Sequence, residues 1–118
     1  MMAKPKLPPP PVPQKLREML KDYPEHLERL QDALNYMIEK PSHGVMPFDR
    51  AIWLLEGELE EFISEARNEL QAAEASGDAE AIERAKAKKF LMGSARHQGI
   101  HDLDDLWAYF QANKGAFE

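Results

Sequence analysis

Apolar residues recur along this chain at spacings of three and four, the mark of helices that bury one face. Leu16, Met19, Leu20 and Tyr23 form the first stripe and predict a helix over about residues 13–21. Pro13 suits its first turn, where a missing N–H costs nothing. Pro24 stops it, because the residue before a proline is pushed out of the αR region. Asp22 with Glu25 reads as a D-x-x-E cap for a second helix, which carries Leu27, Leu30, Leu34, Met37 and Ile38 on one face. Pro41 and Gly44 end that helix.

A loop is expected over residues 41–47, followed by the longest element, from about Phe48 to Ala75. Its stripe is Ile52, Leu55, Leu59, Phe62, Ala66, Leu70 and Ala73, a seam close to that of a coiled coil. Gly77 is placed to cap it in the left-handed region, and Asp78 to cap the next helix. The fourth helix is predicted over residues 79–92, with a weaker face of Ile82, Ala85, Phe90 and Leu91. Residues 93–99, glycine at each end, read as a loop or frayed turn. Asp102 with Asp105 is expected to cap a fifth helix carrying Leu103, Leu106, Trp107 and Phe110, ending near Lys114 and Gly115.

The expected fold is therefore all-α: a compact bundle of about five helices in one domain, residues 13–118. Residues 1–12 are set apart as a disordered proline-rich tail, with Pro8 to Pro11 consecutive. Such a run favours an extended, solvated polyproline II chain. Pro10, Pro13 and Lys15 match a PxxPxK pattern of the kind SH3 domains bind, and a stiff spacer is the plainer expectation.

Composition agrees with the periodicity. Ala, Glu and Leu supply 42 of the 118 residues, and only seven are Val or Ile. The absence of cysteine excludes disulfides, thiol nucleophiles and Cys-ligated metal sites, and fits a reducing, cytoplasmic setting. No run of apolar residues is long enough to span a bilayer, and Met1 to Pro13 lacks the apolar core of a secretory signal. A net charge of −6 disfavours non-specific nucleic-acid binding.

That charge is unevenly placed. Residues 48–76 carry a net −6, and residues 77–98 a net +2. An antiparallel hairpin about Gly77 sets residue i opposite roughly residue 154 − i. Glu65 is then expected near Lys88 and Lys89, and Glu69 near Arg84 and Lys86. The pairs favour this register more than they add stability.

Trp53 lies nearly opposite the Leu55–Leu59 seam at about 100° per residue, and Leu54 also lies off it. The plainer expectation is a third helix sandwiched within the chain, burying this patch. Gly57, one turn beyond Trp53, then reads as a point of close helix approach. The alternative is that Trp53, Leu54 and Gly57, flanked by Glu56 and Glu60, meet a partner protein or form a homodimer.

Glu58-x-x-Glu61 and Glu80-x-x-Glu83 make an ExxE…ExxE pattern. It is similar to the ExxE…ExxD metal-binding pattern of MazG-like nucleotide pyrophosphohydrolases, which are also all-α. The likeness covers about a quarter of the chain, and Glu83 stands where that pattern has Asp. It implies Mg2+ held by these four glutamates and metal-assisted attack on a nucleotide phosphate. In the hairpin register Glu80 faces residue 74, about 20 Å from the level of Glu61 at 1.5 Å per residue. One ion bridges the two pairs only if another chain or another fold brings them together.

Other chemistry is thin. No histidine follows a glutamate at the Glu-x-x-His spacing of di-iron bundles. His97 and His101 have zinc-ligand spacing, but Gly99 interrupts the helix that would align them. Ser42 beside His43 has no nucleophile-elbow context. The basic run Arg84, Lys86, Lys88, Lys89 and Arg96 includes one aromatic residue, Phe90, and faces an acidic helix. The expected function is thus non-catalytic protein binding without a cofactor. The working surface would be the acidic flank of the third helix with the apolar patch around Trp53, or the loops at 41–47 and 93–101. An acidic surface would steer a basic partner, as in adaptors, antitoxin- or immunity-like inhibitors and chaperone-like proteins.

Overall fold

The computed structural model describes residues 8–40, 46–101 and 103–114, and every regular element among them is helical. In chain order these are α1 (Gln14–Met19), α2 (Pro24–Glu39), α3 (Pro47–Ser76), α4 (Ala79–Gln98) and α5 (Asp104–Ala112). The expected all-α bundle on a long antiparallel hairpin is what forms: α3 and α4 pack along each other, and α2, α1 and α5 cover one part of that pair.

The reversal between α3 and α4 follows the sequence closely. Gly77 adopts φ +73°, which only glycine reaches without strain. The Asp78 carboxylate accepts from the backbone N–H of Glu80 and Ala81 and so caps α4. The start of α2 differs from expectation. Tyr23 occupies its N-cap position with no side-chain hydrogen bond, and Pro24 is its first residue. Pro24 opens α2, since a first-turn residue needs no donor, whereas α1 has already ended at Met19; Asp22 does not cap. At the other end of α2, Arg50 of α3 donates from Nη1 to the Lys40 carbonyl at 2.6 Å and the Met37 carbonyl at 3.2 Å. It takes up carbonyls that the helix leaves free.

The fourth helix is longer than its pattern suggests. It continues through Gly93 to Gln98 rather than ending at Met92. Glycine costs a helix about 1 kcal/mol relative to alanine. Met92 and Ala95 are fully buried, and that burial outweighs the cost. The α5 N-cap position is Leu103, without a side-chain hydrogen bond; Asp102, Gly115 and the predicted loop at 41–45 lie outside the described residues.

The core joins Leu16 and Leu20 of α1, Leu30, Leu34 and Met37 of α2, Leu55, Leu59 and Phe62 of α3, Met92 of α4 and Leu106 of α5, all buried. Residues 1–7 of the expected tail lie outside the described residues, and from residue 8 to 13 the chain is not a solvated spacer. Pro10, Val12 and Pro13 are buried. The Pro10 carbonyl accepts from Gln31 at 2.8 Å, and the Pro8 carbonyl accepts from the Tyr109 hydroxyl at 2.7 Å. A polyproline strand keeps all its carbonyls free, so it can lie across α2 and α5 and satisfy donors on both.

No residue from 67 to 91 is buried. The distal part of the hairpin is therefore a two-helix arm extending beyond the bundle. Its length explains a radius of gyration of 16.9 Å and a long dimension of 59 Å; a compact chain of this size has a radius of about 13–14 Å.

Candidate interaction surface

Two sides of the hairpin differ in what covers them. On the covered side, Arg29 of α2 reaches α3, with Nη1 and Nη2 each 2.8 Å from a separate oxygen of Glu65. The same guanidinium lies 3.6 Å from Glu58 and 4.7 Å from the Phe62 ring centroid. Hydrogen bonding to Arg29 holds the Glu65 carboxyl below its ordinary value, whereas burial pushes Glu58 up. His26 stands edge-on to Tyr23 and Phe62 with its Nε2 unpartnered. Burial, then the nearby charges of Lys88 and Arg29, lower its pKa. This cluster fastens α2 to the hairpin.

On the other side no helix among the described residues packs over α3 and α4. Arg96 of α4 crosses the seam to Glu56 at 2.9 Å and to Glu60 at 3.5 Å. Lys88, which lies over the Tyr23 ring on the covered side, pairs with Glu69 at 2.9 Å. The expected hairpin ion pairs thus form with different members. Glu65 bonds to Arg29, with Lys88 near enough for its charge to act on it, and Glu69 takes Lys88 instead of Arg84 and Lys86. Register alone sets the level of a residue; its angle around the helix decides which neighbour it meets.

Trp53 is 62% exposed. Gly57 is exposed, and a Cβ built there meets nothing within 4 Å. The expectation that α3 is enclosed on all sides, with Gly57 at a close approach, is therefore corrected. Leu54 does pack against the core. The acidic flank is partly neutralised from within, since Glu56 and Glu60 share Arg96, whereas Glu61 is exposed.

Phe90 is legible in the sequence only as a member of a weak apolar face, yet it is the most exposed large apolar residue among the described residues, at 78%. It borders an open groove of about 710 Å³ lined by Lys86, Lys89, Gly93, Ser94, His97 and Leu70 among others. Carrying the periodicity of α4 through Gly93 would have found it: Phe90 stands about 200° from Met92 around the helix.

The glutamates of the ExxE pairs are not brought together. Glu58 faces Arg29, Glu61 is exposed on α3, and Glu80 and Glu83 lie exposed at the start of α4. Among the described residues no group of three or more His, Cys, Asp or Glu is placed to hold a metal ion. No helix among them is long and apolar enough to cross a membrane. Comparison with protein-family models, with curated proteins and with solved structures finds no match to this chain.

Proposed function

We propose that this chain is a non-catalytic protein-binding module whose working surface is the uncovered face of the α3–α4 hairpin. The observation that carries this reading is a pair of aromatic side chains, Trp53 and Phe90, left in water at 62% and 78% exposure on a two-helix element. Large aromatic residues with fixed backbones are the usual anchors of protein interfaces, because they bury much area and lose little conformational freedom. Around Trp53 stand Glu56, Gly57 and Glu60, with Leu54 beneath, so a partner would meet an apolar centre with an acidic border. An adaptor, an antitoxin- or immunity-like inhibitor, or a chaperone-like protein in the cytoplasm would use such a surface in the same way.

Affinity capture from the native host tests this, with wild-type protein compared with Trp53→Ala and Phe90→Ala after circular dichroism has verified equal helix content. A defined set of proteins, this chain included, should be retained by the wild type and lost from the variants. Equal capture by all three would remove the aromatic pair from the reading. Titration calorimetry with Mg2+ or Mn2+ tests the catalytic alternative. Binding abolished by Glu58→Gln with Glu61→Gln would overturn the non-catalytic reading.

A further inference from the structure

The uncovered face of the hairpin has opposite charge on its two helices. At about 100° per residue, Trp53, Glu56 and Glu60 fall within about 60° of one another on α3, and Lys86, Gly93 and His97 within about 40° on α4. Arg96 joins the two arcs across the seam, and Leu70 of α3 shares the groove with Phe90 of α4. The side of α3 turned to α2, through Glu58 and Glu65, lies away from these arcs. Within these arcs α3 presents Glu56 and Glu60, and α4 presents Lys86, with Lys89 beside it in the groove.

We propose that this face binds a second copy of the chain, hairpin on hairpin, with the two-fold axis running along the hairpin. The proposal rests on the reading of the face as a protein-binding surface and names the partner. The charges select the geometry. A two-fold axis along the hairpin lays α3 of one copy over α4 of the other, acid against base, with the contacting helices antiparallel. An axis across the hairpin lays α3 over α3 and α4 over α4, and juxtaposes like charges. In the selected arrangement Lys89 and Gly93 lie at the level of residues 65 and 61 of the second copy, so the groove receives the flank bearing Glu56 and Glu60. Gly57 and Gly93 leave room where the helices cross, since nothing occupies the space a Cβ would take at either. Trp53 lies within the contacting arc of α3, about 20° around the helix from Glu60, and Phe90 borders the groove on α4.

The extent of the face suits such a dimer. A 20-residue α4 is about 30 Å long, and two helices about 10 Å wide give a footprint of about 600 Å². A stable interface takes roughly 800 Å² of accessible surface from each partner, and accessible area exceeds a flat footprint.

Sedimentation equilibrium at low salt tests the proposal on the full chain. The wild type should have twice the monomer mass of 13.5 kDa. The dimer should weaken as salt rises, because exposed charges are screened beyond about 10 Å at 0.1 M. Lys86→Glu with Lys89→Glu should weaken it about tenfold or more, and so should Glu56→Lys with Glu60→Lys. Mixing these two variants should restore a dimer, and so should all four substitutions in one chain. The arrangement with α3 over α3 predicts no rescue in the single chain, so that result would overturn the geometry. A wild type that stays monomeric at low salt would overturn the proposal. If such a monomer still captures a foreign protein through Trp53 and Phe90, the protein-binding reading stands and only the second copy is lost. A dimer indifferent to all four substitutions would place the interface elsewhere.

Discussion

Arg29 and Glu65 form a two-pronged ion pair, each nitrogen 2.8 Å from its own carboxylate oxygen, that fastens α2 to α3. The pair is half-exposed, so its Coulombic part is modest. Arg29 also stacks over Phe62 and lies beside Glu58, whose Oε2 is buried without a hydrogen-bond partner. Arg29→Ala should therefore cost about 2 kcal/mol in urea unfolding, more than an exposed pair would. Arg29→Lys should recover less than half of that, since an ammonium lacks the planar fork.

The neighbourhood of His26 predicts a stability that falls on mild acidification. Burial and the charges of Lys88 and Arg29 lower its pKa below 6.5, with Glu65 and Glu69 acting the other way. The unfolded chain therefore takes up a proton first, and protons favour unfolding. The contribution is complete above pH 6.5 and is lost as the pH falls through the folded value. Glu65, held low by Arg29, adds a loss of the same sign below 4.5. Glu58, raised by burial, has the opposite sign, with stability falling as the pH rises above 4.5. Urea unfolding from about pH 7.5 to about pH 5.5 should show the wild type losing stability, with a flatter profile for His26→Gln. Parallel profiles would place the titrating group elsewhere.

The glycines separate by what surrounds them. Gly99 has an ordinary φ of −72°, yet an added Cβ would strike Leu16 Cδ2 and come within 2.6 Å of the Ala95 carbonyl oxygen. Gly99→Ala should cost about 1–3 kcal/mol by forcing α1 away from α4. Gly77→Ala should cost about 1 kcal/mol, because alanine strains at its φ of +73°. Gly57→Ala should raise stability by up to about 1 kcal/mol in an open mid-helix position. Thermal unfolding of the three variants checks the order.

The proline-rich strand is structural from residue 8 onward. Val12 is 4% exposed in the core, and Val12→Ala should cost about 2 kcal/mol. Tyr109→Phe removes the hydrogen bond to the Pro8 carbonyl and should cost about 1 kcal/mol. A chain shortened to begin at residue 13 should unfold at lower urea than either variant. Equal stability of the shortened and full chains would show that the strand does not support the core.

Sequence by itself determined the helices and the reversal between the two longest. The apolar spacing of α2 and α3 is repeated over many turns, and Gly77 and Asp78 act through their own backbone and side chain within three residues. Such signals are local and need no partner. What only the tertiary structure decided is which faces are covered. Trp53 and Leu54 are adjacent in one apolar stretch, yet Leu54 packs on the core and Trp53 stays in water, because α2 and α4 leave that side of α3 open. Val12 follows four prolines and is buried, because α2 and α5 supply donors for the strand's carbonyls. Gly93 lies within α4 because Met92 and Ala95 on either side of it reach the core. Burial depends on the positions of other helices, and a single stretch of sequence carries no record of them.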